Sequence, residues 1–439
     1  MLESIFRAKS IAVVGASEDP SKLGNTLLRN IIDGGFEGKI YPINPKAERI
    51  LGLKAYKNVL EIEEDIDLAV IVVPNKIVPS VMEDIGRKGI KGAIVISGGF
   101  REIGEDELEK NVVEVAKKHG VRVLGPNCQG INYTYNKMCA SWPLIKSEGP
   151  LAIISQSGTI GASFAMWAEE EGIGISSFVS LGNKCDIDET DLIEFFAQDD
   201  NTKAISLYIE GIEDGKKFME VARRTTKKKP VIILKPGKTE KGRKAIETHT
   251  KSIVGEDEVY DAAFRQVGVK RVEDLTQLYD FSKAFALLKK PRGKNLAIVT
   301  SSGGSAILAT DLAERLGLNV VEISKEARDK LREILPPHCI VSNPIDLTGD
   351  ANANMYEETL EILINEENID AFLVIFGDPI ENACEVIKRI REKTDKEIVV
   401  CYLGGGEVEK EESLKMHKEG IPVFPTPERA VRVINALVS

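Results

Sequence analysis

The sequence predicts an α/β protein built from three doubly wound units. Short runs of β-branched and other apolar residues alternate with amphipathic stretches of helical length, the pattern of parallel strands buried on both faces by helices. The length of 439 residues accommodates about three domains at roughly 150 residues each. A strand–turn–helix segment also occurs twice: LAIISQSGTIGASFAMWAEEEG, from Leu151, aligns without gaps on LAIVTSSGGSAILATDLAERLG, from Leu296.

The first unit is read from five strand candidates, IAVVGA (11–16), IYPIN (40–44), LAVIVVP (68–74), GAIVISGG (92–99) and VRVLGPN (121–127). They complete an open Rossmann-like domain over residues 1–130. The stretch from Tyr133 to Gly149 reads as a mostly irregular connector. The duplication gives two flavodoxin-like domains, 146–290 and 293–439, and continues past the first helix. GNKCDID (182–188) is similar to NPIDLTG (343–349), SLYIEG (206–211) to FLVIFG (372–377), and VIILKPG (231–237) to VVCYLGG (399–405). Only the first copy carries the extension 236–290: a polar stretch, KTEKGRKAIETHTKS, expected as an exposed loop, then DEVYDAAFRQVG and DLTQLYDFSKAFALL, helical by period. KKPRGKN (289–295) is a turn-rich linker.

Composition narrows the function. Hydrophobic residues make up 43% of the chain and charged residues 29%, enough for cores and against disorder; the Lys/Glu richness suits a thermophile. A net charge of −11, with no basic run beyond 227–229, argues against nucleic acid as a partner. An anionic ligand stays open, because cradles of backbone N–H groups need no net positive charge. Six cysteines without a CxxC pair suit a reduced, cytoplasmic protein. The longest apolar runs are too short to span a bilayer, and no membrane is expected as a partner.

Gly15, Ala16 and Ser17 follow the first strand, and a helix begins near Lys22, Gly24 and Asn25. Such an edge at the carboxyl end of a sheet binds nucleotides and phosphates. The turn lacks G-x-G-x-x-G. The second strand ends in INPK, with Asn44 and with Lys46 placed for a cofactor phosphate, in place of an acid for a ribose. NAD is disfavoured on both counts, and a phosphorylated adenine cofactor such as coenzyme A fits better. Val73, Pro74, Asn75, Ser97, Gly98, Gly99 and Asn127 follow the other strands and extend the same edge. The bland alternative is an ordinary tight turn. In the second unit, Ser155, Ser157, Gly158 and Thr159 surround a helix start where N–H groups and the helix dipole favour phosphate; plain serine capping is the alternative. The SSGGS turn at 301–305 carries the same chemistry, but a duplicate can keep a fold without its site.

Of the four histidines, His119 reads as a helix C-terminus, His338 as a loop residue and His417 as a solvated helix end. His249 differs: Glu247, Thr248 and Thr250 flank it in the polar stretch beside the phosphate turn. Imidazole is nucleophilic at neutral pH and forms a labile P–N bond, so His249 is a candidate phosphoryl acceptor. Glu210, at a strand end, could hold one ring nitrogen and aim the other.

The ordered set VVGAS with INPK, VISGGF, GPNCQGI, SQSGT, LGNKCDID, THTK before GEDEVYDAAFRQVGV, and NPIDLTGDA resembles the α subunit of ADP-forming acetate–CoA ligase, the NDP-forming acyl-CoA synthetases of the succinyl-CoA synthetase superfamily. The resemblance covers essentially the whole chain. It implies coenzyme A in the first domain, a phosphohistidine at His249 supported by Glu210, and small acyl-CoA and acid substrates. It also implies a separate ATP-grasp β subunit that binds Mg-ADP/ATP, in an α2β2 heterotetramer. The family loop reads His-Thr-Gly; here Lys251 stands in place of that glycine. Two other classes stay open: a non-catalytic CoA-binding regulatory protein, which has no use for His249, and an NAD-dependent oxidoreductase.

Overall fold

In the computed structural model, residues 2–250, 255–403 and 405–439 are described, with the side chains of 248–250 outside that description. The protein is α/β with three main sheets. Two compact units divide it: residues 1–170 with 174–278, and residues 171–173 with 279–439.

The first sheet is parallel throughout. Its strands are Ser10–Val14, Lys39–Ile43, Leu68–Ile71, Gly92–Val95 and Arg122–Leu124. Numbered within the sheet they run in the order 2-1-3-4-5. Alternate side chains feed two cores. Ile11, Val13, Leu68 and Val70 pack with Leu27, Leu28 and Ile31 of the helix Leu23–Asp33. Ala12, Val14, Ala69 and Ile71 pack with Met82, Ile85, Val112 and Ala116 on the helices Val78–Lys88 and Asp106–His119. This two-sided burial is why the strands read as unbroken apolar runs. Helix Asp106–His119 shows the end chemistry clearly, with Asp106, Glu107 and Glu109 in its first turn, Lys117, Lys118 and His119 in its last, and Gly120 closing it at φ 69°.

The second sheet holds Glu148–Ser155, Ile175–Ser180, Ala204–Tyr208, Val231–Leu234 and Lys270–Val272, again in the order 2-1-3-4-5. Two antiparallel strands, Gly130–Tyr133 and Met138–Ser141, extend it beyond Ile175–Ser180. The segment expected as an irregular connector is therefore partly a hairpin. Ile131, Tyr133, Met138 and Ala140 alternate into the core beside helix Leu23–Asp33, and Asn30 Nδ2 donates to the carbonyls of Ser141 and Trp142 at 2.9 and 2.8 Å. Strands of four residues are too short for a two-residue period to stand out in sequence.

The extension also differs from expectation. The polar stretch after Gly237 carries a helix, Glu240–Thr250. Thr239 starts it: its Oγ1 accepts from Gly242 N at 3.1 Å and its carbonyl from Arg243 N at 2.8 Å. Ile246 is buried and gives the helix its apolar footing. Two adjacent apolar residues, exposed Ala245 and buried Ile246, among Lys, Arg, Glu and Thr leave almost no periodic signal, so the stretch looked like a loop.

The third sheet, in the second unit, repeats the plan. Asn295–Thr300, Asn319–Val320, Ala371–Phe376, Glu397–Tyr402 and Val423–Phe424 run in the order 2-1-3-4-5, with Ile345–Asp346 also paired to the first strand. Helices Gly303–Arg315 and Pro427–Val438 cover one face, and Lys325–Ile334, Ala353–Leu363 and Ala383–Lys393 the other. Residues 279–290, expected as the tail of the preceding domain, belong to this unit. Asp280 is bound by Arg429 through two bonds of 2.6 Å, and buried Lys283 donates to Val423 O at 2.8 Å. Among the described residues, no helix is long and apolar enough to cross a membrane.

Candidate functional site

Every residue expected to cradle a cofactor lies at or just beyond the carboxyl end of a strand of the first sheet, or at the start of the helix after the first strand. The reversal of strand order falls between the first and third strands, where α/β sheets bind ligands. The backbone is closest there. Gly15 sits at φ 95°, and a Cβ on it would come within 2.2 Å of Val72 O. A Cβ on Gly24 would come within 2.1 Å of Gly15 O. Glycine at both points lets the helix Leu23–Asp33 start directly on the turn and aim its first N–H groups along the sheet edge.

Polar side chains hold this edge in shape. Asn44 Nδ2 donates to Ala16 O at 2.8 Å, and Asn25 Nδ2 to Ser17 O at 2.9 Å. Both asparagines thus support the turn with their amides. The Ser97 hydroxyl accepts from Val73 N at 3.1 Å and donates to Val73 O at 2.6 Å, tying the third strand's end to the fourth. Asn75 Nδ2 donates to Gly99 O. Asn127, at φ 57°, donates its N–H to Ser97 O at 2.9 Å. Pro74 leads into the short helical turn Asn75–Ile77. Asn127 Oδ1 lies 3.0 Å from where a Gly98 Cβ would stand. Lys22 and Lys46 are exposed on the rim of this edge.

The second cluster lies at the carboxyl edge of the second sheet, where Ser155 ends its strand and helix Gly158–Glu170 begins. The Ser155 hydroxyl donates to Ser157 O at 2.5 Å and shapes the turn; Thr159 is exposed. Glu210 is brought to this turn: its backbone N–H donates to Gln156 Oε1 at 2.8 Å, while its residue is buried. Next in the sheet comes Lys235, 1% exposed, donating to Pro236 O at 2.6 Å with its ammonium 4.7 Å from the Tyr260 ring centre. Burial pushes the Lys235 ammonium down to about 8; Arg271 and Arg243 add to this, and Asp257 and Glu210 oppose it. Burial pushes the Tyr208 phenol up to about 12, with the Glu210 charge adding to the effect.

Between the clusters runs the loop after strand Ile175–Ser180. Asn183 donates through Nδ2 to Glu102 at 2.7 Å and Glu109 at 2.8 Å, and through its N–H to Pro126 O at 2.9 Å. Lys184, at φ 56°, is buried; its ammonium bonds Glu189 at 2.9 Å and Gly211 O, next to Glu210, at 2.8 Å. Glu102 in turn accepts from Gly99 N at 2.5 Å and Phe100 N at 3.1 Å. Through the adjoining residues Asn183 and Lys184, hydrogen bonds therefore link Gly99 of the first edge to the backbone beside Glu210. His249 lies at the end of helix Glu240–Thr250, and its side chain, with residues 251–254 and thus Lys251, lies outside the described residues.

Comparison with known proteins decides the family. Residues 9–134 match the family model "CoA binding domain", residues 148–285 "Succinyl-CoA ligase like flavodoxin domain", and residues 296–438 "Ligase-CoA domain". The chain is 43% identical to subunit alpha of acetate–CoA ligase [ADP-forming] I of Pyrococcus furiosus, over 99% of this chain and 97% of that one. The chain belongs to the ADP-forming acetate–CoA ligase family. It is also 42% identical to acetate–CoA ligase [ADP-forming] I of Archaeoglobus fulgidus, where it spans 99% of itself and 63% of the relative. A solved structure, the dinucleotide-forming acetyl-coenzyme A synthetase 1 of Candidatus Korarchaeum cryptofilum in complex with phosphate and ADP, superposes with a TM-score of 0.93 at 38% identity, covering 100% of this chain and 96% of that one.

Within this ligase chain the other histidines are structural. His119 closes its helix and lies 3.1 Å from Glu83; His338 lies 3.1 Å from Asp350. His417 is not the solvated helix end expected. It is buried, with Nδ1 2.8 Å from Glu171 O and Nε2 accepting from Val423 N at 3.1 Å. Burial, with Lys283 adding, pushes it down to about 4, which keeps it neutral. Sequence reasoning passed over Gln129, Gln156, Asn183, Lys184 and Lys235. Four of them stood inside motifs quoted for the family, GPNCQGI, SQSGT and LGNKCDID; polar side chains at strand ends were the available signal.

Proposed function

We propose that this chain is the α subunit of an ADP-forming acyl-CoA synthetase. It would convert acyl-CoA, ADP and phosphate to acid, ATP and CoA through a phosphohistidine at His249. The observation that carries the reading is the pairing of two edges within one unit: a backbone cradle suited to coenzyme A, and a phosphate turn bonded to Glu210 through Gln156. Gly15, Ala16, Ser17, Lys22, Gly24, Lys46, Val73 to Asn75, Ser97 to Gly99 and Asn127 would hold coenzyme A, with Asn25 and Asn44 bracing the turn. Ser155, Ser157, Gly158 and Thr159 would hold phosphate at the helix N-terminus.

Chemistry proceeds in three displacements. A phosphate oxygen adds to the thioester carbon, the C–S bond breaks, and the thiolate leaves and is protonated, giving acyl phosphate. A ring nitrogen of His249 attacks phosphorus, and the P–O bond to the acyl carboxylate breaks. Glu210 would accept a hydrogen bond from the other ring nitrogen, fixing the tautomer and balancing the charge that develops on the ring. The phosphoryl group then passes to ADP with its metal ion on a partner. A histidine carrier allows the thioester and nucleotide sites to be separate.

The partner would be an ATP-grasp subunit in an α2β2 assembly. The longer Archaeoglobus relative supports this, since it holds on one chain what this chain covers only to 63%. Six free cysteines suit a cytoplasmic setting. The test is His249→Ala in the assembled enzyme. Turnover and acid-labile incorporation of labelled phosphate should both disappear; retention of either would remove His249 from the mechanism.

A further inference from the structure

Gln129 stands between the two edges. It comes two residues after Asn127 and directly before strand Gly130–Tyr133. Its N–H donates to Ser180 Oγ at 2.9 Å, and its carbonyl accepts from Trp142 N at 3.0 Å, so its main chain is fixed on both sides. Its side chain lies over the first residue of helix Gly158–Glu170. A Cβ on Gly158 would come within 2.6 Å of Gln129 Cγ and 3.0 Å of Nε2. The absence of a side chain at Gly158 is what lets an amide rest against the phosphate turn. Gln129 Oε1 is buried and has no hydrogen-bond partner among the described residues. A buried amide oxygen is costly to leave in that state, and such a group calls for an explanation, a role in binding among them.

We propose that the Gln129 amide binds the hydrogen phosphate that attacks the thioester; this rests on the ligase reading above. An amide carries an acceptor and a donor side by side. Hydrogen phosphate is complementary to it: its P–OH donates to Oε1, while an unprotonated oxygen accepts from Nε2–H. The helix N–H groups and the turn hydroxyls then hold the other oxygens. Gripped in this way, phosphate is held by its protonated side and presents an unprotonated oxygen toward the coenzyme A edge. In the displacement a C–O bond forms, the C–S bond breaks, and the proton that began on phosphate ends on the departing sulfur. Gln129 is neutral, so it orients the nucleophile without adding a charge that would hold the acyl phosphate back.

Gln129→Met keeps the length and removes both amide groups. In the enzyme assembled with its partner, the KM for inorganic phosphate should rise on the order of tenfold or more. The KM for acyl-CoA, the CoA affinity by calorimetry and the rate of His249 phosphorylation from ATP should all stay near wild type. An unchanged phosphate KM overturns the inference. So does a fall in CoA affinity and His249 phosphorylation together with the rise, which would mean that the residue only supports the fold. Failure of the wild-type assembly to phosphorylate His249 is a different result: it removes the ligase reading, and this inference with it.

Discussion

The second and third sheets are two copies of one design, and they part company at the helix start. Both run strand, turn, helix, with the same strand order. In both, the second residue of the turn accepts a hydrogen bond from an N–H just beyond the third strand: Gln156 from Glu210 at 2.8 Å, Ser301 from Gly377 at 3.0 Å. That match corrects the alignment of SLYIEG on FLVIFG by one residue. The register pairs Ser155 with Tyr208 and Thr300 with Ile375, which sets Glu210 against Gly377 and not against Phe376. A Cβ on Gly377 would come within 2.5 Å of Ser302 Cβ, so the third domain has no room for an acid there. It has also filled its helix start from within. The Asp346 carboxylate lies 2.8 Å from where a Gly303 Cβ would stand. In the first copy, the acid of the matching Asn-x-x-Asp pattern, Asp186, is turned to Arg122 and Val123 N. The same glycine- and serine-rich turn therefore has different carboxylate surroundings in the two copies. In the third domain a carboxylate faces the helix N-terminus; in the second, Glu210 stands beside the turn.

The sharpest way to break this comparison is Glu210→Gln, which keeps size and the backbone bond to Gln156 but removes the charge. Phosphorylation of His249 should slow on the order of a hundredfold, with CoA affinity unchanged. A wild-type phosphorylation rate would reduce Glu210 to the structural role that Gly377 fills in the other copy.

Lys184 braces the backbone beside Glu210 from its own loop. Lys184 and Glu189 are each 2% exposed at the side chain and 2.9 Å apart. Burial pushes the Glu189 carboxyl up, and Lys184 opposes that shift. Lys184→Met leaves a buried carboxylate without its cation, and loss of one partner of such a pair costs about 3–5 kcal/mol. Thermal melting should show a large drop, and the freed Gly211 carbonyl should slow His249 phosphorylation as well. The double variant Lys184→Met/Glu189→Leu should recover most of the melting temperature without recovering the rate. Recovery of both would mean that the lysine matters only for stability. In the third domain the matching asparagine, Asn343, bonds Leu296 O, Val321 O and Ile298 N through its amide.

How much of this was legible follows from where each signal lives. Buried parallel strands are continuous apolar runs, so the fold class and the duplication could be read directly. The strand ends of the first sheet were legible for the same reason, because each run announces the residues after it. Three things could not be read. The hairpin at 130–141 was hidden by its short strands. Helix Glu240–Thr250 was hidden because, among its described side chains, Ile246 alone is buried. The roles of Gln129 and Lys184 were hidden because both depend on residues distant in sequence, Gly158 at 29 positions and Gly211 at 27. No local pattern encodes such a pairing.

The smallest effect separates capping from binding at the two turns. Ser302 Oγ accepts from Ser305 N at 3.4 Å and from Ser305 Oγ at 2.9 Å, a working helix cap. Ser157, its counterpart, accepts from Ile160 N at a similarly long 3.5 Å, but Ile160 has no hydroxyl to add the second bond that Ser305 gives Ser302. If both serines were mere caps, Ser302→Ala should cost about 1 kcal/mol and Ser157→Ala somewhat less, with turnover untouched by either. A capping turn and a binding turn should split differently. Ser302→Ala should lower the melting temperature slightly and leave every kinetic constant alone. Ser157→Ala should leave the melting temperature nearly alone and raise the phosphate KM several-fold, because a hydroxyl that contributes little to the cap remains available to an anion at the helix start. A phosphate KM that moves with Ser302 and not with Ser157 would transfer the phosphate site to the third domain, and the distinction between the copies would have to be abandoned.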